Sequence, residues 1–244
     1  MREEEKEMNF EQNETLKAIN TGMSEELLGG MKEKLCRLVL LFCGLTIAHL
    51  GVTLFILANL GADPFNVFVQ GLRLLIGSSL THGSIHMCVS FLIILILLFV
   101  DRTYIKAGTL ICMICGGPII DFFTWVLSVF EIGSAAIAVK IPVLILGCVI
   151  LAFGMTIVIR SEAGTGPNDL VAVVISEKGK FKFGLTRVIT DGLFVLIGFI
   201  LGGKFGIGTI ICAFLVGFVA DFFMPSSDRI VKSSFRHLLG KGCV

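Results

Sequence analysis

Charged residues are scarce in this chain, at 16% of its 244 positions, and the motifs of common soluble enzymes are missing. There is no glycine-rich phosphate loop, no nucleophile turn of the hydrolase type, no zinc-type ligand spacing and no basic nucleic-acid patch. No nucleophile stands beside a candidate base. These absences argue against an ATPase, a hydrolase and a nucleic-acid binder, and we expect no enzymatic activity, no metal and no cofactor.

Apolar residues are abundant instead, at 55% of the chain, with a mean hydropathy of +0.93. A soluble domain cannot bury that much apolar surface, so the composition predicts an integral membrane protein. Most of the eight cysteines lie inside apolar runs, where cysteine packs as a small hydrophobic residue rather than in a disulfide framework. Residues 1–34 are polar and rich in glutamate, which predicts a cytoplasmic tail and no cleavable signal peptide.

Six apolar segments approach the length of about 20 residues that a helix needs to cross the hydrocarbon core. They are 36–59, 84–101, 104–127, 141–160, 184–202 and 205–225. Two shorter segments follow the first and the fourth of these, and each begins with a Gly/Pro/Asp/Asn cluster typical of a turn and a helix start. The pattern predicts an all-α membrane protein with two short re-entrant or half helices.

The chain contains a similar membrane unit twice. Residues 105–123 and 205–223 are identical at eight of nineteen positions, among them Gly108/Gly208, Thr109/Thr209, Gly117/Gly217 and Asp121/Asp221. Earlier residues match at an offset of 103, including Gly44/Gly147, Gly51/Gly154 and Pro64/Pro167. Duplicated membrane units are common in transporters, whose substrate site lies where the halves meet.

The distribution of positive charge predicts how the two units are oriented. If the short segments do not cross, each unit has three spans, the second unit is inverted, and most Lys and Arg residues lie on one side, as the positive-inside rule requires of the cytoplasmic side. An eight-span arrangement with parallel units stays open. We divide the chain into an N-terminal tail (1–34), two membrane repeats (35–130 and 131–225) and a basic C-terminal tail (226–244), with both tails cytoplasmic.

The two turns before the short segments are the first candidate site. The first contains Asp63, Pro64 and Asn66, and the second contains Pro167, Asn168 and Asp169. Free N–H groups at a helix start carry partial positive charge and hold anionic or polar groups. The alternative is that these residues are only caps and turn formers.

The second candidate is a polar helix face. Arg187 and Asp191 are four residues apart in the fifth span, and the corresponding residues of the first unit are His86 and Ser90. Ionisable groups at membrane depth usually face the bundle interior, which makes these residues candidate substrate contacts. The alternative is a structural pair in which Arg187 reaches the headgroups.

Three acidic residues are candidates for gating or coupling. Asp121 and Asp221 each lie late in a span and are each followed by two phenylalanines, so an inverted protein would place them near opposite faces as symmetric gates or as interface-level caps. Glu162 and Arg160 flank the second turn and are candidate partners of each other. His49, in the first span, has no polar counterpart and is interpreted as a packing residue.

Several of these segments together resemble the bacterial YczE/YyaS/YitT family of membrane proteins, over roughly residues 36–225. The shared features are GADPFNV, GTGPNDL, the Gly-x-x-Arg helix start at Gly184–Arg187 and GIGTI followed by Gly and Asp. The chain departs from the family pattern at Asn168, where a basic residue is typical, and at Asp191, where glutamate is typical. The resemblance implies a multi-pass protein of the bacterial plasma membrane.

These observations favour a secondary transporter of a small anionic or zwitterionic solute, with a midplane site between the two repeats. Two alternatives stay open: a scaffold or accessory membrane protein, and a substrate-binding membrane subunit of an uptake complex. The expected partners are the lipid bilayer and an unidentified small molecule, with no nucleic acid, and self-association is left open.

Overall fold

The structure is a computed structural model that describes residues 2–61, 63–77 and 82–239, with side chains defined at 30–61, 63–77, 85, 86 and 88–236. Ala62 of the first turn and residues 240–244 of the C-terminal tail lie outside the described residues. Over the described ranges the chain forms helices and no strands, which confirms the all-α class. The α-helices are α1 (Arg2–Ala58), α2 (Pro64–Ile76), α3 (His82–Val100), α4 (Ala107–Leu127), α5 (Ile137–Arg160), α6 (Pro167–Gly179), α7 (Phe183–Ile200) and α8 (Ile207–Leu239).

Five segments are long and apolar enough to cross a membrane, which confirms an integral membrane protein. They are Gly30–Ala58, Ala107–Phe130, Ile137–Arg160, Phe183–Ile200 and Ile207–Arg236. Many of their large apolar side chains are exposed on the outside of the bundle, where lipid would cover them. The α2 and α6 helices have 13 residues each. At 1.5 Å per residue each is about 20 Å long, too short for a full crossing.

The α1 and α5 helices cross at the centre of the bundle through paired glycines. A Cβ atom on Gly44 would lie 2.9 Å from the carbonyl oxygen of Gly154, and one on Gly147 would lie 2.8 Å from that of Gly51. The absence of side chains here lets the two backbones touch, as in many membrane helix pairs. Since Gly44 meets Gly154 while Gly51 meets Gly147, the two helices run antiparallel.

The turns before α2 and α6 are each held by the start of a helix from the other half of the chain. Gly208 N–H, at the start of α8, donates to Leu60 O at 3.0 Å, and Gly108 N–H, at the start of α4, donates to Ala163 O at 2.9 Å. The following glycines, Gly61 and Gly164, have φ angles of +142° and +135°, a region that favours glycine. Each turn is therefore fixed from outside by an equivalent contact.

Each short helix also packs on the long helix that follows the other short helix. The α2 helix lies on α7, where a Cβ atom on Gly198 would lie 2.6 Å from Phe68 N. The α6 helix lies on α3, where Leu97 packs with Leu170 and Val174. Close backbone contact secures the first pair and branched side chains secure the second.

One end of the bundle, here called the basic face, carries Arg37, Lys106, Arg160 and Lys178. Arg37 pairs with the Glu162 carboxylate at 2.5 Å, and Lys106 Nζ donates to the Glu162 carbonyl oxygen at 2.7 Å. These contacts tie the middle of α1 to the start of α4 and to the turn after α5. Because Glu162 pairs with Arg37, the expected pairing with Arg160 is wrong; Arg160 lies 4.0 Å from Asp228 instead.

The outer helices continue past the proposed domain limits. The α1 helix runs through the 34/35 boundary and α8 runs through the 225/226 boundary. The extension of α8 is docked on α5 by a 2.7 Å hydrogen bond between the Thr156 and Ser227 hydroxyls, and stabilised by the Asp228–Lys232 pair. Both boundaries therefore mark changes of composition rather than helix ends.

Candidate functional site

Three ionised side chains from α6 and α7 meet inside the bundle. Arg187 Nε donates to Asp191 Oδ2 at 2.9 Å, and Arg187 Nη1 donates to Asp169 Oδ1. Arg187 and Asp191 are only 8% and 2% exposed, so neither reaches the headgroups. The sequence spacing predicted the Arg187–Asp191 contact, and the structure adds Asp169, a residue of the second turn, as the other partner of the same guanidinium.

A fourth charge comes from the other half of the chain. The carboxylates of Asp169 and Asp63 both act electrostatically on Asp191, which places the turn before α2 near the same centre. We call Asp63, Asp169, Arg187 and Asp191 the charged cluster. Three carboxylates against one guanidinium give it a net charge of −2 when all four groups are ionised. A cluster of this kind is costly in a low-dielectric bundle unless a positive group or protons balance it.

The two short helices differ at their starts. Asp63 caps α2, since its carboxylate accepts Asn66 N–H at 3.2 Å as well as a bond from the Asn66 side-chain amide. The α6 helix begins at Gly166, and no side chain in the described part of the chain caps its first-turn N–H groups. Only the α6 start is therefore free to hold an anionic group in the way that the sequence predicted for both turns.

Pro64 and Pro167 are both buried at the first position of their helices, where a missing N–H costs nothing. They shape the two turns rather than present a polar group. Asn168 lies in the first turn of α6, with its side-chain oxygen 3.1 Å from the position that a Cβ atom on Gly166 would occupy. It therefore lies beside the uncapped helix start.

His86 lies on α3 against an aromatic ring. Its imidazole meets Phe65 edge to face, with ring centroids 5.1 Å apart. The neighbouring Ser90 is 2% exposed. The first half thus has a histidine and a serine at the positions where the second half has Arg187 and Asp191.

The three gating candidates occupy different environments. Asp221 Oδ1 accepts the backbone N–H of Gly184 at 2.8 Å, which joins α8 to the start of α7. Asp121 is exposed, and no hydrogen-bond partner for it lies among the described residues. Glu162 lies at the basic face with φ of +56°, clamped by Arg37 and Lys106.

Sequence reasoning missed two features near the cluster. His49 is within reach of the Asp169 charge, and its Nδ1 lies 2.7 Å from Leu45 O, which orients Nε2 toward Gly116. The hydroxyls of Thr109 and Thr165 are buried without a hydrogen-bond partner in the described chain. For Thr109, the matching threonine at position 209 was the signal in the sequence.

Two cavities open beside α6 at the basic face. One, of about 340 Å³, is lined by Tyr104, Lys106, Glu162, Thr165 and Glu177 among others. The other, of about 610 Å³, is lined by Arg160, Lys180, Lys182, Phe183 and Asp221 among others. Desolvation and the nearby Glu177 carboxylate raise the pKa of Tyr104.

Just outside the span of α3, Asp101 is held in its ionised form. Hydrogen bonds from the Thr103 hydroxyl and backbone N–H, together with Lys178, lower the pKa of Asp101 to about 2. Lys178 Nζ lies 3.2 Å from Asp101 Oδ2. This contact joins the end of α3 to the end of α6.

Metal and thiol chemistry find little support in the described part of the chain. No group of three or more His, Cys, Asp or Glu side chains there is arranged to hold a metal ion. Its seven described cysteines are all free thiols, including the Cys112–Cys115 pair.

The chain matches the sequence profile of a family of unknown function, DUF6198, over residues 35–225. This chain belongs to that family. It is 30% identical to a Bacillus subtilis protein described as "Uncharacterized membrane protein YczE", over 83% of this chain and 92% of that protein. The expected YczE/YyaS-like family is thereby confirmed.

Two further relatives extend the comparison. YyaS of Bacillus subtilis, described as an uncharacterized protein, is 28% identical over 79% of this chain and 94% of its own length. A Haemophilus influenzae protein, also described as uncharacterized, is 26% identical over 79% of this chain and 84% of its own length. No solved structure matches this chain.

Proposed function

We propose that this protein is a secondary transporter of a small zwitterionic solute, and that the charged cluster is its binding site. The observation that carries the proposal is the burial of Arg187 between Asp169 and Asp191 in a lipid-facing helix bundle. A bundle that only needs stability gains little from such a cluster, because apolar residues of similar volume would serve as well. Ionised groups at membrane depth are typical of solute and ion pathways.

The charge balance narrows the solute class. Both carboxylate partners of Arg187 are within the protein, so the guanidinium is not open to an incoming anion. The excess negative charge of the cluster favours an ammonium group or a proton. The uncapped start of α6, beside Asp169, suits a carboxylate. A zwitterion such as an amino acid carries both an ammonium group and a carboxylate. The solute class predicted from the sequence, anionic or zwitterionic, is therefore narrowed to a zwitterion.

The reciprocal contacts support an inverted arrangement of two repeats. Under the sequence offsets, the Gly44–Gly154 contact corresponds to the Gly147–Gly51 contact, and the Gly108–Ala163 bond corresponds to the Gly208–Leu60 bond. Equivalent residues therefore meet their counterparts across a pseudo-two-fold axis. The antiparallel α1 and α5 fit three spans per half with α2 not crossing, since eight crossings would make them parallel.

We assign the basic face to the cytoplasm by the positive-inside rule, in a bacterial plasma membrane with both tails inside. No ATP-binding motif is visible in the sequence, so a proton or sodium gradient is the proposed energy source. The protein is then a carrier rather than an enzyme. As a scaffold, it would instead depend on its tails and tolerate changes in the charged cluster.

The test is ligand binding to purified protein in nanodiscs, followed by transport in proteoliposomes with an imposed proton gradient. A panel of amino-acid-like zwitterions, with matched carboxylates and amines, should contain a zwitterion that raises the unfolding temperature. Asp191→Asn should abolish that shift. Asp228→Asn is the matched control, because Asp228 also pairs with a basic residue four positions away but lies outside the cluster.

Two outcomes would contradict or change the proposed function. If no member of the panel binds, and Asp191→Asn behaves like Asp228→Asn in cells while removal of residues 1–29 abolishes function, the scaffold alternative replaces the carrier. If only an amine or only a carboxylate binds, the carrier stands with a different solute class.

A further inference from the structure

The α6 helix starts with nearly the same backbone conformation as α2, but it has a glycine where α2 has its capping aspartate. At the sequence offset of 103, Gly166 corresponds to Asp63. The φ and ψ angles are −59° and 147° at Gly166, and −64° and 157° at Asp63. The place of the Asp63 carboxylate on α2 therefore shows where a carboxylate would lie on α6.

The backbone of α6 offers such a carboxylate an equivalent donor. At α2, the Asp63 carboxylate accepts the N–H of Asn66 at 3.2 Å. The residue that corresponds to Asn66 is Asp169, in the first turn of α6. Since no described side chain caps that turn, a carboxylate from outside the chain can accept its N–H groups, whose partial positive charge favours an anion.

Two buried hydroxyls lie beside this helix start. Thr165, which is 4% exposed, directly precedes Gly166, and Thr109 of α4 is fully buried. Neither Oγ1 atom has a hydrogen-bond partner among the residues that the structure describes. Thr109 Oγ1 lies only 2.9 Å from the position that a Cβ atom on Gly164 would occupy, so both hydroxyls are close to the turn before α6. A buried hydroxyl without a partner is costly, which indicates that a ligand completes these hydrogen bonds.

The equivalent threonine of the other half is satisfied within the protein. Thr209 corresponds to Thr109 at an offset of 100, and its hydroxyl accepts the N–H of Gly206 at 3.2 Å. It lies against the turn before α2, since a Cβ atom on Gly61 would be 2.6 Å from Thr209 Oγ1. The turn before α2 is therefore completed by groups of the protein, whereas the turn before α6 leaves donors for a ligand.

A small solute has a route to this turn from the basic face. Thr165 and Gly164 line the cavity of about 340 Å³ there, a volume within the range of small-molecule sites. The charged side chains that line it are Lys106, Glu162 and Glu177. Both glutamates have partners within the protein, and the lysine adds a positive charge that attracts a carboxylate.

Asp169 places an acidic oxygen beside the same position. Its Oδ1 accepts a hydrogen bond from Arg187, and its Oδ2 lies 3.8 Å from the position that a Cβ atom on Gly166 would occupy. A carboxylate that caps α6 therefore lies next to a carboxylate of the protein, which is unfavourable unless a positive group lies between them. The ammonium group of a zwitterion meets that requirement.

We propose that the start of α6 is the carboxylate subsite of the carrier. The solute enters through the 340 Å³ cavity, and its carboxylate accepts hydrogen bonds from the Thr165 and Thr109 hydroxyls and from the first-turn N–H groups of α6. Its ammonium group lies on Asp169 Oδ2. The solute carboxylate thus takes the place on α6 that Asp63 takes on α2. This inference rests on the proposed carrier function, and it names the residues that select for a carboxylate.

The test compares the binding of alanine, ethylamine and propionate to the purified protein in nanodiscs. Ethylamine is alanine without its carboxylate and propionate is alanine without its amine; the same analogues of leucine and serine complete the set of probes. Thr165→Val should weaken alanine binding roughly tenfold or more, the usual effect of losing a hydrogen bond to a charged group, and leave ethylamine binding unchanged. The unfolding temperature of the free protein should not fall, because the hydroxyl has no partner in the described chain. Thr109→Val should act in the same direction.

Thr209→Val is the matched control, because its hydroxyl has the equivalent place in the other half and accepts the Gly206 N–H. It should lower the unfolding temperature and leave alanine binding unchanged. Gly166→Asp gives α6 a carboxylate of its own, so it should abolish the binding of alanine and propionate while ethylamine still binds. Gly166→Ala adds only the Cβ atom and should weaken binding less. Equal alanine binding by Gly166→Asp and Gly166→Ala would overturn the proposal.

The remaining outcomes separate the subsite from the carrier. If a zwitterion binds and Thr165→Val leaves its affinity as in Thr209→Val, the carrier stands and the subsite fails. If only carboxylates bind and Thr165→Val weakens them, the subsite stands and the zwitterionic solute class fails. If only amines bind, or none of the probes binds, the subsite fails.

Discussion

The two halves of the molecule share a backbone plan and differ in where they carry charge. Asp169, Arg187 and Asp191 of the second half correspond to Asn66, His86 and Ser90 of the first. The second set forms a buried ion-paired cluster, whereas His86 of the first packs on Phe65. The two halves thus make equivalent glycine contacts, while the buried ion pairs lie in the second half.

We expect the largest effect from removing the arginine of the charged cluster. Arg187→Ala leaves two buried carboxylates without their guanidinium, which should destabilise the protein by about 3–5 kcal/mol. Solute binding should be lost as well. Thermal unfolding in nanodiscs measures the first effect and the ligand-induced shift measures the second.

Two variants provide the controls for that prediction. Arg160→Ala removes an arginine whose side chain is 42% exposed and 4.0 Å from its acidic partner, and it should change stability little. Arg187→Ala combined with Asp191→Asn should recover part of the stability, because one unpaired charge is gone. A single Arg187→Ala that unfolds like Arg160→Ala would contradict the buried ion-pair assignment.

The glycine contacts give the next largest difference between the halves. Gly217→Ala places a Cβ atom 2.6 Å from Gly184 O and should destabilise the protein by about 1–3 kcal/mol. Gly117→Ala meets no described atom and should stabilise its helix by about 0.5–1 kcal/mol, the usual gain over glycine. Equal unfolding temperatures for the two variants would contradict the close contact between Gly217 and Gly184.

The helix caps give a smaller difference. Asp63→Ala removes the cap of α2 and should cost about 0.5–2 kcal/mol, while Asp63→Asn keeps a capping oxygen and should cost less. Hydrogen exchange of the Asn66 amide measures the loss directly. If Asp63→Ala and Asp63→Asn expose that amide equally, the side-chain cap is not what holds the helix start.

The smallest effect concerns the link between the end of α3 and the end of α6. The folded pKa of Asp101 is about 2, below its ordinary value of 3.8, so its ionised form stabilises the fold above pH 4. That stabilisation is lost as the pH falls from about 4 to about 2. The Asp101→Asn variant should therefore be less stable than the parent at pH 7 and equal to it near pH 2, as followed by thermal unfolding.

Much of the fold could be predicted from local signals in the sequence. Five of the six predicted spans, the two 13-residue helices and their proline starts follow from apolar length and turn residues, which act over a few residues. The Arg187–Asp191 contact follows from a spacing of four on a helix. Asp169 as the second partner of Arg187 could not be predicted, because the two residues meet only through the packing of α6 against α7.

Two aspartates that are each followed by two phenylalanines also show where prediction from local sequence ends. Asp121-Phe-Phe and Asp221-Phe-Phe predict one role, yet Asp221 accepts a hydrogen bond from Gly184 while Asp121 is exposed. Whether an aspartate at this position meets the start of a neighbouring helix depends on the relative positions of whole helices. The residues next to each aspartate in the sequence do not specify those positions.

The sequence by itself determined that this chain is a helical membrane protein with a duplicated pattern and a few polar residues at membrane depth. Apolar length, glycine spacing and helix periodicity act locally, so they can be read along the chain. Only the tertiary structure decided that Arg187 is shared between Asp169 and Asp191, that Glu162 pairs with Arg37, and that Asp221 accepts a hydrogen bond from Gly184. Those outcomes depend on contacts between residues far apart in the chain, where small differences in helix packing choose the partner.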